Sequence, residues 1–337
     1  MPAIEFPPLA SSLESLHRDG IVAAPAGLGL IRVAGDDAAT FLHTQLTNAV
    51  EDLSAGDSAR LAGYCSPKGR LQASFLMWRD AEGIVLQISA DIQPAIQKRL
   101  AMFVLRAKAK LSDLSATHRI LGVAGAGAEA ALAAAGLPAP HGPLATASAA
   151  RVTVIRLADA DGEPRWQIVA PAEQADSLEQ ALAGRLTPAS AGFWDWLEIR
   201  SGVPRIAAAT QEQFVPQMIN FELIGGVNFR KGCYPGQEVV ARSQYRGTLK
   251  RRMWLVHGEG DVPAAAAEIF RPEDPEQPCG MIVNAAAAPE GGWDGLAELK
   301  IDAATGALRL GAADGLAVAT RALPYEVPLP NEAQAAG

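Results

Sequence analysis

The stretch Phe229-Arg230-Lys231-Gly232-Cys233-Tyr234-Pro235-Gly236-Gln237-Glu238 packs a thiol, two cations, two glycines, an amide and a carboxylate into ten positions. Lys231 lies two residues before Cys233. A neighbouring ammonium favours thiolate over thiol, and the thiolate is the form that attacks electrophiles and binds metals. Gly232 and Gly236 let the backbone turn tightly or approach a neighbour closely. The following Glu238-Val239-Val240-Ala241 reads as the start of a strand or helix that supports the loop from behind. A cysteine in a globular protein is ordinarily a small buried hydrophobe. The residues around Cys233 argue instead for a reactive thiol at a surface or cleft.

Three further groups can carry chemistry. Arg242, Arg246, Lys250, Arg251 and Arg252 form a basic cluster with Tyr245 among them and no acid from Val239 to Val256. It reads as a solvated face, as a seat for a small anion, or as a contact for tRNA or an acidic partner. Trp194 and Trp196, two residues apart at a helix start, cannot share a helical face; one can pack in the core while the other faces a cavity, against the ordinary reading of either as a core residue. Pro67-Lys68-Gly69-Arg70 is a turn with two cations, expected to line the same cavity or to cap a hairpin. Gly125-Ala126-Gly127-Ala128-Glu129-Ala130 matches a dinucleotide fingerprint. The acid that should follow about 20 residues later is absent, so the segment reads as a tight turn and an Ala-rich helix.

The totals narrow the classes. A chain of 337 residues, 49% hydrophobic and 20% charged, can build two or three domains. A net charge of −8 argues against a general nucleic-acid-coating protein. Three cysteines, at 65, 233 and 279, and five scattered histidines give no disulfide framework and no zinc site. They also fall short of the four thiolates of a complete iron–sulfur cluster, so any cluster at Cys233 is shared and transient. Residues 1–12 show no basic start or apolar core, and no apolar run is long enough to span a bilayer; a cytoplasmic protein is expected.

The elements that would position these groups follow in order. Gly29–Val33 reads as a strand, Ala38–Leu46 as a helix capped at Asp37, Leu61–Tyr64 as a strand, Leu71–Trp78 and Ile84–Ile88 as a hairpin, Asp91–Met102 as a helix and Val104–Leu111 as a strand. This order resembles a ferredoxin-like unit. Arg151–Leu157 and Arg165–Ala170 read as a second strand pair, Gln174–Ala183 and the segment from Phe193 to Gly202 as helices, and Ile206–Pro216 as an extended loop. Short apolar runs after Lys250, separated by Gly, Pro and Asp, predict a small β-barrel or sandwich. The expected domains are 1–112, 113–250 and 251–330.

Lys231-Gly232-Cys233-Tyr234-x-Gly236-Gln237-Glu238 resembles the signature of the YgfZ family of folate-binding proteins, relatives of the T-protein, or aminomethyltransferase, of glycine cleavage. Gly202-Val203-Pro204, Phe214-Val215-Pro216-Gln217, Ala241-Arg242 and Tyr245-Arg246-Gly247 resemble that family at matching spacing, and Gln45-Leu46-Thr47-Asn48 and Pro67-Lys68-Gly69-Arg70 do so more loosely. The resemblance implies an α+β fold of T-protein type, with ferredoxin-like units around a central cavity and a C-terminal barrel. It implies tetrahydrofolate or a related folate as ligand, stacked on Trp194. Cys233, at the cavity mouth and with its pKa lowered by Lys231, would aid iron–sulfur cluster assembly or repair in client enzymes, tRNA-modifying ones included. Tyr234, Gly236, Gln237, Glu238, Arg242, Tyr245 and Arg246 complete the implied site, with Gln237 and Glu238 anchoring the loop by hydrogen bonds. Two departures stand out: Leu28 occupies a position where the family has a second aromatic, and Gln72-Ala73-Ser74 lacks the carboxylate that related aminomethyltransferases use in one-carbon transfer. The family's glutamate-bearing folate loop is reduced to Gly162-Glu163-Pro164-Arg165-Trp166-Gln167. A cluster-assembly factor is therefore expected in preference to a one-carbon transferase or a non-catalytic adaptor for tRNA or protein.

Overall fold

A computed structural model describes residues 6–56, 58–245 and 249–328. Helix α1 (Leu9–Arg18) and strand β1 (Ile21–Ala23) precede a five-stranded antiparallel sheet of β2 (Leu28–Ala34), β3 (Arg60–Cys65), β4 (Leu71–Asp80), β5 (Gly83–Ser89) and β6 (Lys110–Asp113), with α2 (Ala38–Gln45) and α3 (Gln93–Met102) as its helices. The order is β3-β4-β5-β2-β6. Without β3 this is the ferredoxin-like arrangement that the element order predicts. The β4–β5 turn is tighter than expected because Asp80 Oδ1 accepts the backbone N–H groups of Glu82 and Gly83, at 2.8 and 3.0 Å. The expected strand Val104–Leu111 shrinks to β6. Residues 103–109 form turns instead, with Ala107 N–H donating to Val104 O and Leu105 at φ 48°. Of the alternating charges, Arg106 and Lys108 lie in these turns and only Lys110 on the strand.

The second sheet holds β7 (His118–Ala124), β8 (Thr146–Ala149), β9 (Val152–Ala160), β10 (Glu163–Pro171) and β11 (Thr187–Ala189), with α4 (Ala128–Ala134) and α5 (Ala172–Ala183). Its order, β11-β1-β7-β10-β9-β8, inserts β1 between β7 and β11. The first strand of the chain thus belongs to the second sheet, outside the sheet of residues 28–113, which the sequence pattern did not indicate. The glycine fingerprint forms a turn and the short Ala-rich helix α4, as expected.

Helix α6 (Ala191–Arg200) starts at Ser190, whose side chain accepts the Phe193 N–H, and packs on the barrel as well as on β9. It is apolar on nearly every face, so both tryptophans are buried and the expectation of one facing a cavity fails. After two 3₁₀ turns comes α7 (Gln237–Tyr245), then the barrel of β12 (Arg251–Gly258), β13 (Glu268–Phe270), β14 (Gly280–Ala287), β15 (Trp293–Lys300), β16 (Leu308–Leu310) and β17 (Ala317–Arg321). The barrel closes through β12–β17 pairing. Strand β13 spans only three residues, too few to show a period. No helix among the described residues is long and apolar enough to cross a membrane.

Candidate functional site

Two sites emerge where the sequence suggested one. The first is the Cys233 loop. Cys233 is exposed, and Tyr234 beside it is buried. The Lys231 ammonium donates to the backbone carbonyls of His43 and Leu46, the latter at 2.8 Å, and lies 4.8 Å from the centre of the Tyr234 ring. These carbonyls end α2, where the helix dipole favours a cation. Burial pulls the Lys231 ammonium down to about 8, while the charge of Cys233 acts in the opposite direction. Lys231 therefore docks the loop as well as setting a positive charge near the thiol.

The loop rests on the β3–β4 turn through facing glycines. Gly236 has φ +79° and Gly69 φ +71°. A methyl group on Gly236 would collide with Ser66 O and lie 2.6 Å from Gly69 Cα. Pro67-Lys68-Gly69-Arg70 therefore supports the loop and does not line the cavity. Gln237 Oε1 accepts the Tyr234 N–H at 3.3 Å, so Gln237 anchors the loop as implied. Glu238 makes no side-chain hydrogen bond among the described residues. Its carboxylate sits in the first turn of α7, where helix polarity favours it. His43 was not foreseen: it lies 188 residues from Lys231, and a methyl group on Gly232 would sit 3.9 Å from its Nε2.

The second site is a cavity of about 520 Å³ between the two sheets, walled by Leu28, Arg156, Arg165, Glu198, Arg205 and Tyr325 among others. Its volume suits a ligand of drug-like size. Arg165 is buried, donates from Nη1 to Glu198 Oε1 at 2.9 Å, and lies over the Trp194 ring at 5.3 Å. Gln167 donates to Gln87 at 2.6 Å, and Tyr325 donates to Gly202 O at 2.9 Å. Ser74 is on the wall, its Oγ accepting the Ile206 N–H, and Gln72 bonds Glu212; no carboxylate stands at 72–74.

Neither the Cys233 loop nor Trp194 lines this cavity, so the implied placement of Cys233 at its mouth and of a ligand stacked on Trp194 is corrected. Trp194 is 1% exposed, and its indole fills the space left by the missing side chain of Gly122. Tyr234, Gly236, Gln237, Glu238, Arg242 and Tyr245 all belong to the loop and α7, away from the cavity; Arg246 lies outside the described residues. The basic cluster is also divided. Arg252 is buried against Glu222, and Arg251 pairs with Glu298 at 2.7 Å. Arg242 and Lys250 remain at the surface. Leu28, by contrast, does lie on the cavity wall, and so do Arg165 and Gln167 of the reduced loop. The two sites are joined by chain: Phe221 and Ile224 line the cavity, and residues 225–232 run from there to Cys233, held by Thr47 and Asn48 donating to the carbonyls of Gly226 and Gly225.

No protein-family profile matches the chain. It is 32% identical over 268 residues to the tRNA-modifying protein YgfZ of Edwardsiella ictaluri, covering 78% of this chain and 79% of the relative. It is 32% identical over 249 residues to the protein of the same name from Vibrio vulnificus, covering 72% of each. Among solved structures, glycine cleavage system aminomethyltransferase T from Bartonella henselae superposes with a TM-score of 0.77 at 18% identity, over 94% of this chain and 89% of that one. The fold is that of the aminomethyltransferases.

Proposed function

Because the chain belongs to the YgfZ family, we propose that it binds a reduced folate, tetrahydrofolate, in the cavity between its sheets and presents Cys233 on a separate face to serve iron–sulfur clusters of client enzymes, including those that modify tRNA. The observation that carries the folate part is the cavity itself. Glu198 offers one carboxylate oxygen to Arg165 and keeps the other for a ligand. A pterin presents an amino group and a ring N–H side by side, a pattern that a carboxylate accepts well. Arg205, held only loosely to Asp195 at 3.7 Å, is a cation available to the glutamate tail. Bound there, tetrahydrofolate would supply a reduced, electron-rich pterin, which Glu198, Arg165 and Arg205 would hold and orient.

The Cys233 part rests on the exposed thiol beside Lys231. A thiolate can ligate the iron of a cluster in transit, and the docked loop holds it at the surface where a second protein can reach it. One-carbon transfer, suggested by the fold, lacks a carboxylate at 72–74.

The test is a tetrahydrofolate titration followed by tryptophan fluorescence. Wild type should show saturable quenching. Glu198→Gln should weaken binding by roughly tenfold or more, the effect of losing a charged hydrogen-bond acceptor. Trp194→Phe should keep the affinity and lose part of the signal. Unchanged affinity in Glu198→Gln would remove the folate from this cavity. Independently, Cys233→Ala should lower client-enzyme activity while leaving folate affinity intact.

A further inference from the structure

The segment from Ile92 to Ser112 contains no acid and carries Lys98, Arg99, Arg106, Lys108 and Lys110. Unlike the cluster after Arg242, it survives folding as a surface. Lys98, Arg106, Lys108 and Lys110 are exposed. Lys108 lies 3.3 Å from the exposed Asp36; among the described residues Lys98, Arg106 and Lys110 form no ion pair. Lys98 from α3 and Lys110 from the edge strand β6 flank a groove of about 530 Å³ whose lining also includes Ala101, Val104, Ala109 and one carboxylate, Asp113. Beside it stand Met102, Phe103 and Leu105, exposed to 60%, 46% and 87%. Leu105 has φ +48°, a left-handed conformation that L residues rarely adopt. Backbone strain here holds an apolar side chain out in water, the reverse of what folding alone favours.

We propose that this surface docks RNA. In a chain of net charge −8, RNA can be held only through a local concentration of cations. Three of the five cations are lysines, which suit phosphates as point charges and are depleted from protein–protein interface cores. Phe103 offers a stacking face to an unpaired base, and Met102 and Leu105 pack against a base or ribose. The proposal concerns a face other than the folate cavity and the Cys233 loop, so it stands or falls separately from them.

The experiment is filter binding of bulk tRNA to the full chain over a salt series, with poly-glutamate as competitor. Wild type should bind with an affinity that falls as salt rises. Lys98→Glu combined with Lys110→Glu should lower affinity at least tenfold and flatten the log–log salt slope by about 1.5–2. Phe103→Ala should lower affinity by about fivefold and leave the slope unchanged. Arg106→Glu, on the turn outside the groove, replaces the double variant if that variant fails to fold; unchanged tetrahydrofolate titration and melting report folding. Lysines beside an edge strand also deter sheet-to-sheet aggregation, a role that would leave tRNA affinity unmoved by these substitutions. Absent or salt-independent binding by wild type, undiminished binding by the charge-reversed variants, or displacement of tRNA by poly-glutamate as effective as by unlabelled tRNA would overturn the proposal, the last by assigning the surface to an acidic protein.

Discussion

Lys231 is half-buried between Tyr234 and the end of α2, and burial brings its ammonium from an ordinary 10.5 down to about 8. Between those values the unfolded chain holds the additional proton. The contribution of this residue to stability therefore rises with pH across that window and is least favourable below about 8. The same charge attracts an anionic sulfur at Cys233. Lys231→Met should slow alkylation of Cys233 by iodoacetamide about three- to tenfold at neutral pH, and the two proteins should converge above about pH 8 as Lys231 loses its charge. Equal rates at every pH would leave Lys231 as a loop anchor only. This residue's importance was legible from its place two positions before a cysteine. Its partners were not, because the carbonyls of His43 and Leu46 lie far away in sequence.

At the scale of elements, the Cys233 loop holds its shape by meeting another loop. A methyl group on Gly236 would meet the backbone of Ser66 and Gly69, and one on Gly69 would meet Val239 Cβ at 2.7 Å. Gly236→Ala adds left-handed strain to that collision. It should cost local docking about 2 kcal/mol, roughly 30-fold in the opening equilibrium, seen as faster amide exchange over residues 231–240 with the global melt little changed. Exchange as slow as in wild type would show that the loop can accommodate the methyl. The two glycines were visible in the sequence as turn residues; that they face each other was not. The basic run after Val239 teaches the converse. Its lack of acids left a solvated face, an anion seat and a contact for tRNA or an acidic partner all open, yet Arg251 and Arg252 find their acids at Glu298 and Glu222, which are distant in the chain and adjacent in space.

At the scale of the molecule, the cavity is completed by pieces from four regions, including the segment that leaves the barrel. Leu323, Pro324 and Tyr325 return to pack at Gly202, and Pro324 and Tyr325 join the cavity wall. Since β17 ends at Arg321, a chain truncated after that residue keeps the closed barrel. It should melt near the wild-type temperature and bind tetrahydrofolate about tenfold more weakly, because the ligand loses part of its enclosure. Wild-type affinity in the truncated chain would separate the tail from the site.

Local pattern was enough, from sequence alone, for most strands and helices, the short strands after Lys250, the reactive-looking loop around Cys233 and the family to which the chain belongs. These depend on periodicity, turn chemistry and motif spacing, all encoded within a few neighbouring residues. The tertiary structure alone decided that β1 joins the second sheet, that Trp194 is enclosed beside Gly122, that Arg165 and Glu198 meet on a cavity wall, and that the Cys233 loop is not part of that wall. Those outcomes depend on which buried charges find partners and which apolar faces meet across long stretches of chain. No window of sequence contains both halves of such a pairing.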